Sequence, residues 1–421
     1  MRILIISKEA WRDEQNGGNV LSNIFQGFDA EFAQIFCNEQ LPNNKLCKKY
    51  YQITDKMMVN SILGKGLAGM TLKYDDYPVF TVAERQSYGG VRWAGGYLRL
   101  AREVAWALGR WNEGEIKDFV TCFNPDIIFA PCYGNHYMHK MLRLVKKTAD
   151  VSVISYISDD FYGNNQLNFS PLFWINHFAL RRNTRSIFKL YSLVYTMTQE
   201  QKEQCERDFG ANMKILCKCG EFLPKYEKKF VGDPIRFIYG GGIYINRWKT
   251  LKVLSDAIRK VNAEGANFRL DIYTNTELTE SQRAALNDGK SAFMHDPVSM
   301  SQLMDIYHNS DIALHVEGFD SKSKRIVRLS FSTKIVDCLD SGCAVMAICD
   351  DKQAGGSYLR RNECAICVHD LKTMEEVLRD IWSDKNNLIQ MQHKAFEVGR
   401  KNHLLETVSQ GVRNDFWSLI K

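Results

Sequence analysis

The chain is 421 residues long, 45% hydrophobic and 25% charged, with a formal charge of +6 at pH 7. That length exceeds one typical domain and predicts two or three, and the balance of apolar and charged residues excludes a disordered chain. The mild basic excess suits anionic small molecules or a membrane surface better than a dedicated nucleic-acid module.

In chain order, Arg2–Ser7 (RILIIS) is the first predicted strand, continuously apolar as in a buried parallel sheet. It leads to a polar loop carrying Gly17 and Gly18, either a plain flexible loop or a ligand contact, and then a helix from about Asn19 to Phe28. From Leu41 to Gly114 the pattern is irregular apart from a helix over Tyr97–Trp111, and the rest reads as acceptor-binding loops. Regular alternation then resumes with strand Asp126–Ala130, helix His136–Thr148, strand Val151–Ser158, a helix over Pro171–Tyr191, strand Leu193–Thr198 and helix Glu200–Phe209. Such alternation predicts an α/β unit with a parallel sheet, whose ligands gather at the carboxyl ends of the strands.

Phe222–Pro234, with two prolines and several charges, reads as a linker. A second α/β unit follows: strand Arg236–Tyr239, the glycines 240–242, helix Arg247–Val261, strand Phe268–Tyr273, helix Glu280–Asn287, strand Ala292–His295, helix Ser299–Asn309 and strand Asp311–Val316. The run FSTKIVDCLDSGCAVMAIC, Phe331–Cys349, predicts a helix opening on Ser332 and Thr333, a turn at Gly342 and a strand from Ala344. Strand Ala365–Val368 and helices from Lys372 onward complete the chain.

Twelve cysteines are scattered through the sequence, several inside apolar runs, which fits a reduced cytoplasmic setting better than a disulfide framework. The close pairs Cys217/Cys219 and Cys364/Cys367 lack a second pair at zinc spacing, so no metal is expected. No run reaches the ~18 apolar residues of a membrane span, and Ile3–Ile6 is too short for a signal peptide.

Chemistry concentrates in the second unit. A helix start made of Ser332, Thr333 and Lys334 combines backbone N–H groups, hydroxyls and a cation, as an anion site requires; an ordinary capped helix is the alternative. Asp337, one turn further, can accept hydrogen bonds from sugar hydroxyls. Gly241 and Gly242 allow close backbone approach, and Arg247 and Lys249 are placed to reach a diphosphate, unless they form only a solvated basic face. Glu317 ends the strand Asp311–Val316, and SKSKRIVRLS reads as a basic loop between it and Asp337, either closing over an anion or a mobile surface loop; the alternative for both carboxylates is that they serve only in surface pairs. In the first unit Asp159 ends a strand, where it can orient a sugar or accept a proton, or merely cap a helix; His136 is the other candidate there. Leu172–Tyr191 mixes aromatic residues with Arg181, Arg182 and Arg185, suited to an anionic membrane or to a core helix with its charges in water.

The two-unit layout, DIALHVEGF, FSTKIVDCLDSGCAVMAI and the glycine turn before Arg247 together resemble the retaining glycosyltransferases of the GT-B fold, the large nucleotide-sugar family four. The resemblance is closest to bacterial members that build capsule, lipopolysaccharide or exopolysaccharide, and strongest over Ile235–Val368. It implies two Rossmann-like domains facing a cleft: residues 1–225 for the acceptor, joined by a returning helix over 404–421, and residues 226–403 for the nucleotide sugar. It also implies a metal-independent hexosyl transfer with retention, from a nucleotide-diphosphate sugar to a glycan or lipid-linked acceptor. The scattered cysteines and short apolar runs predict a cytoplasmic protein, one that can still touch the inner membrane from that side.

Residue by residue, Asp337 takes the place of the family's second, ribose-binding acid, and Glu317 stands in for the first. Arg247, Lys249 and Lys334 would stabilise the departing diphosphate, and Asp159 would occupy the place of the histidine near the transferred sugar. The sequence departs from the pattern where Asp337 replaces Glu, Ala344 replaces proline, Leu329 occupies the first-acid position and Gly241 replaces the phosphate-turn arginine. Two other readings share the layout: an epimerase or phosphorylase of the same fold, and a non-catalytic scaffold. Arg247→Ala or Lys249→Ala is expected to cut turnover with the fold intact.

Overall fold

A computed structural model describes residues 1–13, 16–72, 96–166, 168–226 and 231–420. The chain forms two compact units, one of Met1–Thr196, Gln201–Leu216 and Ser409–Lys421, the other of Met197–Glu200 and Cys217–Val408.

The first unit is built on the strands β1 (Arg2–Ser7), β2 (Glu31–Phe36), β3 (Cys47–Gln52), β4 (Met70–Leu72), β5 (Ile127–Phe129), β6 (Val153–Ile157), β7 (Leu193–Thr196) and β8 (Met213–Ile215). They form one sheet in the order β4-β3-β2-β1-β5-β6-β7-β8, parallel except for the β3–β4 pair. Ile3 to Ile6 are all buried, as their unbroken apolar run requires in a sheet covered on both faces. The C-terminal helix Leu405–Leu419 adds Phe416 to this core, its ring 5.7 Å from Phe25 and 5.5 Å from Phe28. Tyr195 on β7 donates to Asp415 at 2.7 Å, so the last helix turns hold the sheet by a hydrogen bond as well as by aromatic packing.

The second unit holds β9 (Ile235–Gly240), β10 (Phe268–Tyr273), β11 (Ala292–His295), β12 (Ile312–Val316), β13 (Ala344–Ile348) and β14 (Ile366–Val368). They run parallel in the order β11-β10-β9-β12-β13-β14. Counted from β9 this is the 3-2-1-4-5-6 order of a doubly wound nucleotide-binding sheet, with its switch point between β9 and β12. Alternate strand residues feed two cores: Phe237, Leu270 and Leu314 pack on one face, Ile238, Ala313 and Val345 on the other.

Several expectations are corrected. Gly17 and Gly18 lie in the first turn of the helix Asn16–Phe25 and not in a loop before it, so the chain there is helical and no glycine loop follows β1. The stretch 41–114, read as largely irregular, contains β3, β4, a helix over Asp55–Ile62, another over Gly96–Leu108 and the start of one over Glu113–Phe123. Its segment 73–95, read as part of the acceptor-binding loops, lies outside the described residues. Phe222, placed in the linker, is buried in the second unit with its ring 5.8 Å from that of Phe396. The SKSKRIVRLS segment contains the helix Ser321–Val327, capped by Asp320, which accepts from the Ser323 N–H at 3.0 Å. Among the described residues no helix is long and apolar enough to cross a membrane.

Candidate functional site in the second unit

At the switch point, β9 ends in Gly240 and β12 runs into Glu317, so the turn after one strand and the acid after the other meet at the same edge. Gly241 has φ +140°, and the space a Cβ would fill there is taken by the Nζ and Cε of Lys334. Only glycine lets the lysine lie against the turn. Tyr239 braces the turn by donating its hydroxyl hydrogen to the Gly242 carbonyl at 2.7 Å, and the Lys334 ammonium stands 5.1 Å from the Tyr239 ring centroid.

The chain next passes through Ile245 and Asn246, both at φ +57°, before the helix Arg247–Ala263. A β-branched residue in the left-handed region carries strain on the order of 1–3 kcal/mol. The 317–323 segment holds it there: Ser323 Oγ lies 3.1 Å from the Ile245 carbonyl, its one proton shared between that oxygen and Asp320, and Asn246 Nδ2 donates to Asp320 Oδ2 at 2.8 Å. Gly318 leaves room for the Ile245 carbonyl, where any Cβ would collide.

Arg247, the first residue of that helix, binds Glu317 in a fork: Nε to Oε2 and Nη2 to Oε1, both 2.9 Å. The side chains are 12% and 4% exposed. Burial alone would lower the Arg247 pKa, but the hydrogen bonds and charge of Glu317 prevail and raise it. Thr250 Oγ1 donates to the Glu317 carbonyl at 2.8 Å and fixes the strand end against the helix. Glu317 therefore faces a guanidinium, and Arg247 reaches the turn with its charge already balanced.

Lys334 is the uncompensated cation. Its pKa is lowered to about 8, first by burial and next by Arg247, against the smaller opposing pull of Cys338, Glu317 and Asp337. No carboxylate lies within ion-pair distance of its ammonium among the described residues. The helix it starts is short, Lys334–Asp340, and Thr333 makes no side-chain cap: it is exposed with helical φ and ψ, and Ser332 beside it is half-buried. The two hydroxyls thus flank Lys334 without closing on the backbone.

Asp337 sits one turn along and is ion-paired with Lys218. Asp340, on the same helix, accepts from the backbone N–H groups of Glu221 at 3.1 Å and Phe222 at 2.8 Å, so one helix grips the 218–222 segment at two points. If Asp337 holds a ribose, Lys218 competes with it; Lys218→Met is expected to raise nucleotide affinity a few-fold, read by isothermal titration. Loss of affinity would instead make Lys218 a direct nucleotide contact.

Lys249 stands apart. It is exposed, with its ammonium 5.8 Å from the Trp248 ring, and makes no bond to Arg247, Lys334 or the glycine turn. Lys249→Ala is expected to change neither melting temperature nor nucleotide affinity by more than the scatter of a surface substitution, about 0.5 kcal/mol. In the first unit, Asp159 follows β6 with its side chain open to water. The desolvation that raises its pKa, opposed by Lys8, is screened by that contact. His136 starts its helix, with its N–H on Glu103 Oε2 at 3.1 Å and Nδ1 3.2 Å from Asn183 Nδ2.

Sequence reasoning missed Tyr239, Lys218 and the strained Ile245–Asn246 turn. Asn246 carried a local signal, since asparagine tolerates the left-handed region, whereas Ile245 carried none. Among the described residues no group of three or more His, Cys, Asp or Glu is arranged to hold a metal ion.

No protein-family profile and no curated protein sequence matches the chain. Solved structures do match along its whole length. HepE from Anabaena in complex with UDP superposes with a TM-score of 0.62 at 12% identity, over 100% of both chains. Trehalose-6-phosphate synthase OtsA gives 0.60 at 10% identity over 99% of each chain. Sucrose-phosphate synthase from Thermosynechococcus elongatus gives 0.59 at 11% identity, over 99% of this chain and 98% of that one. The chain has the GT-B fold. In this GT-B chain the glycine turn, Lys334, the Arg247–Glu317 pair and Asp337 all belong to the C-terminal Rossmann-like unit.

Proposed function

We propose that this GT-B chain is a glycosyltransferase that binds a nucleotide-diphosphate sugar in its second unit and transfers the sugar to a glycan or lipid-linked acceptor. The observation that carries the reading is Lys334, a half-buried ammonium with no carboxylate of its own, laid against a glycine turn at the switch point of a 3-2-1-4-5-6 sheet. A diphosphate supplies the missing negative charge there. HepE, of the same fold, is known in complex with UDP-glucose, which makes a uridine nucleotide sugar the first donor to try.

In this reading Lys334 and the remaining N–H groups of Arg247 meet the diphosphate as it departs, with Gly241, Gly242, Ser332 and Thr333 around it. Glu317 holds Arg247 in position rather than touching sugar. Asp337 receives the ribose hydroxyls, and Asp159 serves the acceptor. No metal is required in this scheme, because the cations are side chains. Family-four membership, retention of configuration, hexosyl transfer and a place in surface-polysaccharide synthesis extend the same proposal, resting on the sequence resemblance.

A panel of nucleoside diphosphates and nucleotide sugars scored by thermal shift tests the donor site, since a ligand of the folded state raises its stability by mass action. At least one nucleoside diphosphate is expected to raise the melting temperature. Absence of any shift, repeated by calorimetry, would leave a non-catalytic scaffold; conversion of a bound nucleotide sugar with no acceptor present would point to an epimerase.

A further inference from the structure

The helix Pro171–Phe188 turns one face inward, burying His177, Leu180, Thr184, Ile187 and Phe188. Arg181 also turns inward, donating to the Tyr162 carbonyl at 2.7 Å and to Asp208 at 2.9 Å. The outer face is different. Leu172, Ile175 and Phe178 are 45%, 68% and 57% exposed, and Phe169 just before the helix is 100% exposed. Arg182, Arg185 and Lys189 continue the same stripe and are exposed as well. Steps of three, three, four, three and four residues from Leu172 to Lys189 keep all six on one side of a helix about 27 Å long.

Charge on this face has one sign. From Phe161 to Gln199 the sequence contains no Asp or Glu. Of the acids packed nearby, Asp208 is spent on Arg181, and Asp160 accepts from Gln204. The stripe is thus apolar over its first half and cationic over its second. A free anion would need no exposed Phe169, Ile175 and Phe178, and a groove-seeking protein partner would need a concavity that a single convex helix does not offer.

We infer that the outer face of helix Pro171–Phe188 docks on an anionic lipid bilayer, Phe169, Leu172, Ile175 and Phe178 entering the headgroup–acyl boundary while Arg182, Arg185 and Lys189 meet lipid phosphates. An amphipathic helix of this composition lies in the plane of the interface, and its cations bind through the surface potential of the anionic leaflet. The inference is independent of the donor reading, because it concerns a different face and a different ligand.

The test is co-sedimentation of the full chain with sucrose-loaded vesicles, 70% phosphatidylcholine and 30% phosphatidylglycerol, against pure phosphatidylcholine. The wild type is expected to pellet with the anionic vesicles alone. The double variant Ile175→Glu/Phe178→Glu should stay in the supernatant, and the triple variant Arg182→Ala/Arg185→Ala/Lys189→Ala should lose about a hundredfold in partitioning, from roughly one kcal/mol per basic residue. Because these side chains are exposed, circular dichroism and melting temperature should match the wild type. Failure of the wild type to bind anionic vesicles, undiminished binding by both variants, or conversion of a wild-type dimer to a monomer by the double variant would each overturn the assignment.

Discussion

Replacing Lys334 with alanine should weaken nucleoside diphosphate binding about 30-fold or more, the loss of a charge-assisted hydrogen bond of about 2–3 kcal/mol, as measured by isothermal titration. The same substitution should stabilise the ligand-free protein. Lys334 holds its proton with a pKa of about 8 in the folded chain against an ordinary value of 10.5, so folding works against the charge. Below pH 8 both folded and unfolded chains carry the proton and the burial cost is present in full. Between pH 8 and 10.5 the unfolded chain still binds a proton the folded one has released, and stability rises with pH. Lys334→Met should flatten that rise and add on the order of 2–3 kcal/mol at pH 7, read from urea unfolding. Nucleotide affinity should run the other way in the wild type, falling as pH climbs through 8, because the diphosphate needs the ammonium. An affinity that holds level to pH 10 would falsify the assignment of Lys334 as the diphosphate cation.

Arg247→Ala should destabilise the second unit by about 3–5 kcal/mol as well as remove nucleotide binding. The reason is Glu317, only 4% exposed and held by a two-bond fork from Arg247. Sequence alone suggested a substitution that spares the fold, and the pairing reverses that expectation. Adding Glu317→Gln to Arg247→Ala should return most of the lost stability, since the charge left behind causes the damage, yet should return none of the nucleotide binding. Arg247→Lys should fall short on both counts, because an ammonium cannot supply the parallel N–H pair. Urea midpoints of the four proteins, compared at constant slope, separate these cases.

The parallel sheets were legible because strands buried on both faces are predominantly apolar, as RILIIS, IALHV and AVMAI are. The candidate-site residues that the sequence marks are those whose type stands out at a strand end or a helix start: the glycine turn after β9, Lys334 and, one turn on, Asp337. The site was illegible where it depends on partnership. Nothing in the spacing of Arg247 and Glu317, 70 residues apart, says that they face each other, and Lys218 meets Asp337 across 119. Lys249 misled because a basic residue two positions into a helix resembles one at its start, while the helix turn carries it round to water. The helix Ser321–Val327 was hidden by its charge: three basic residues in seven read as loop, although Asp320 caps the turn and Ser323 and Val327 provide buried contacts.

That short helix has an evolutionary corollary. Asp320 and Ser323 act as a splint for a backbone conformation that Ile245 would otherwise abandon, so the two segments are answerable to each other although neither is required to touch a ligand. Across relatives of this chain, position 246 and position 320 should therefore drift as a couple: wherever the asparagine is lost, the aspartate keeps only its capping role at Ser323, which serine, threonine or asparagine can also fill, and a glycine at 245 or 246 should mark lineages that have dispensed with the splint.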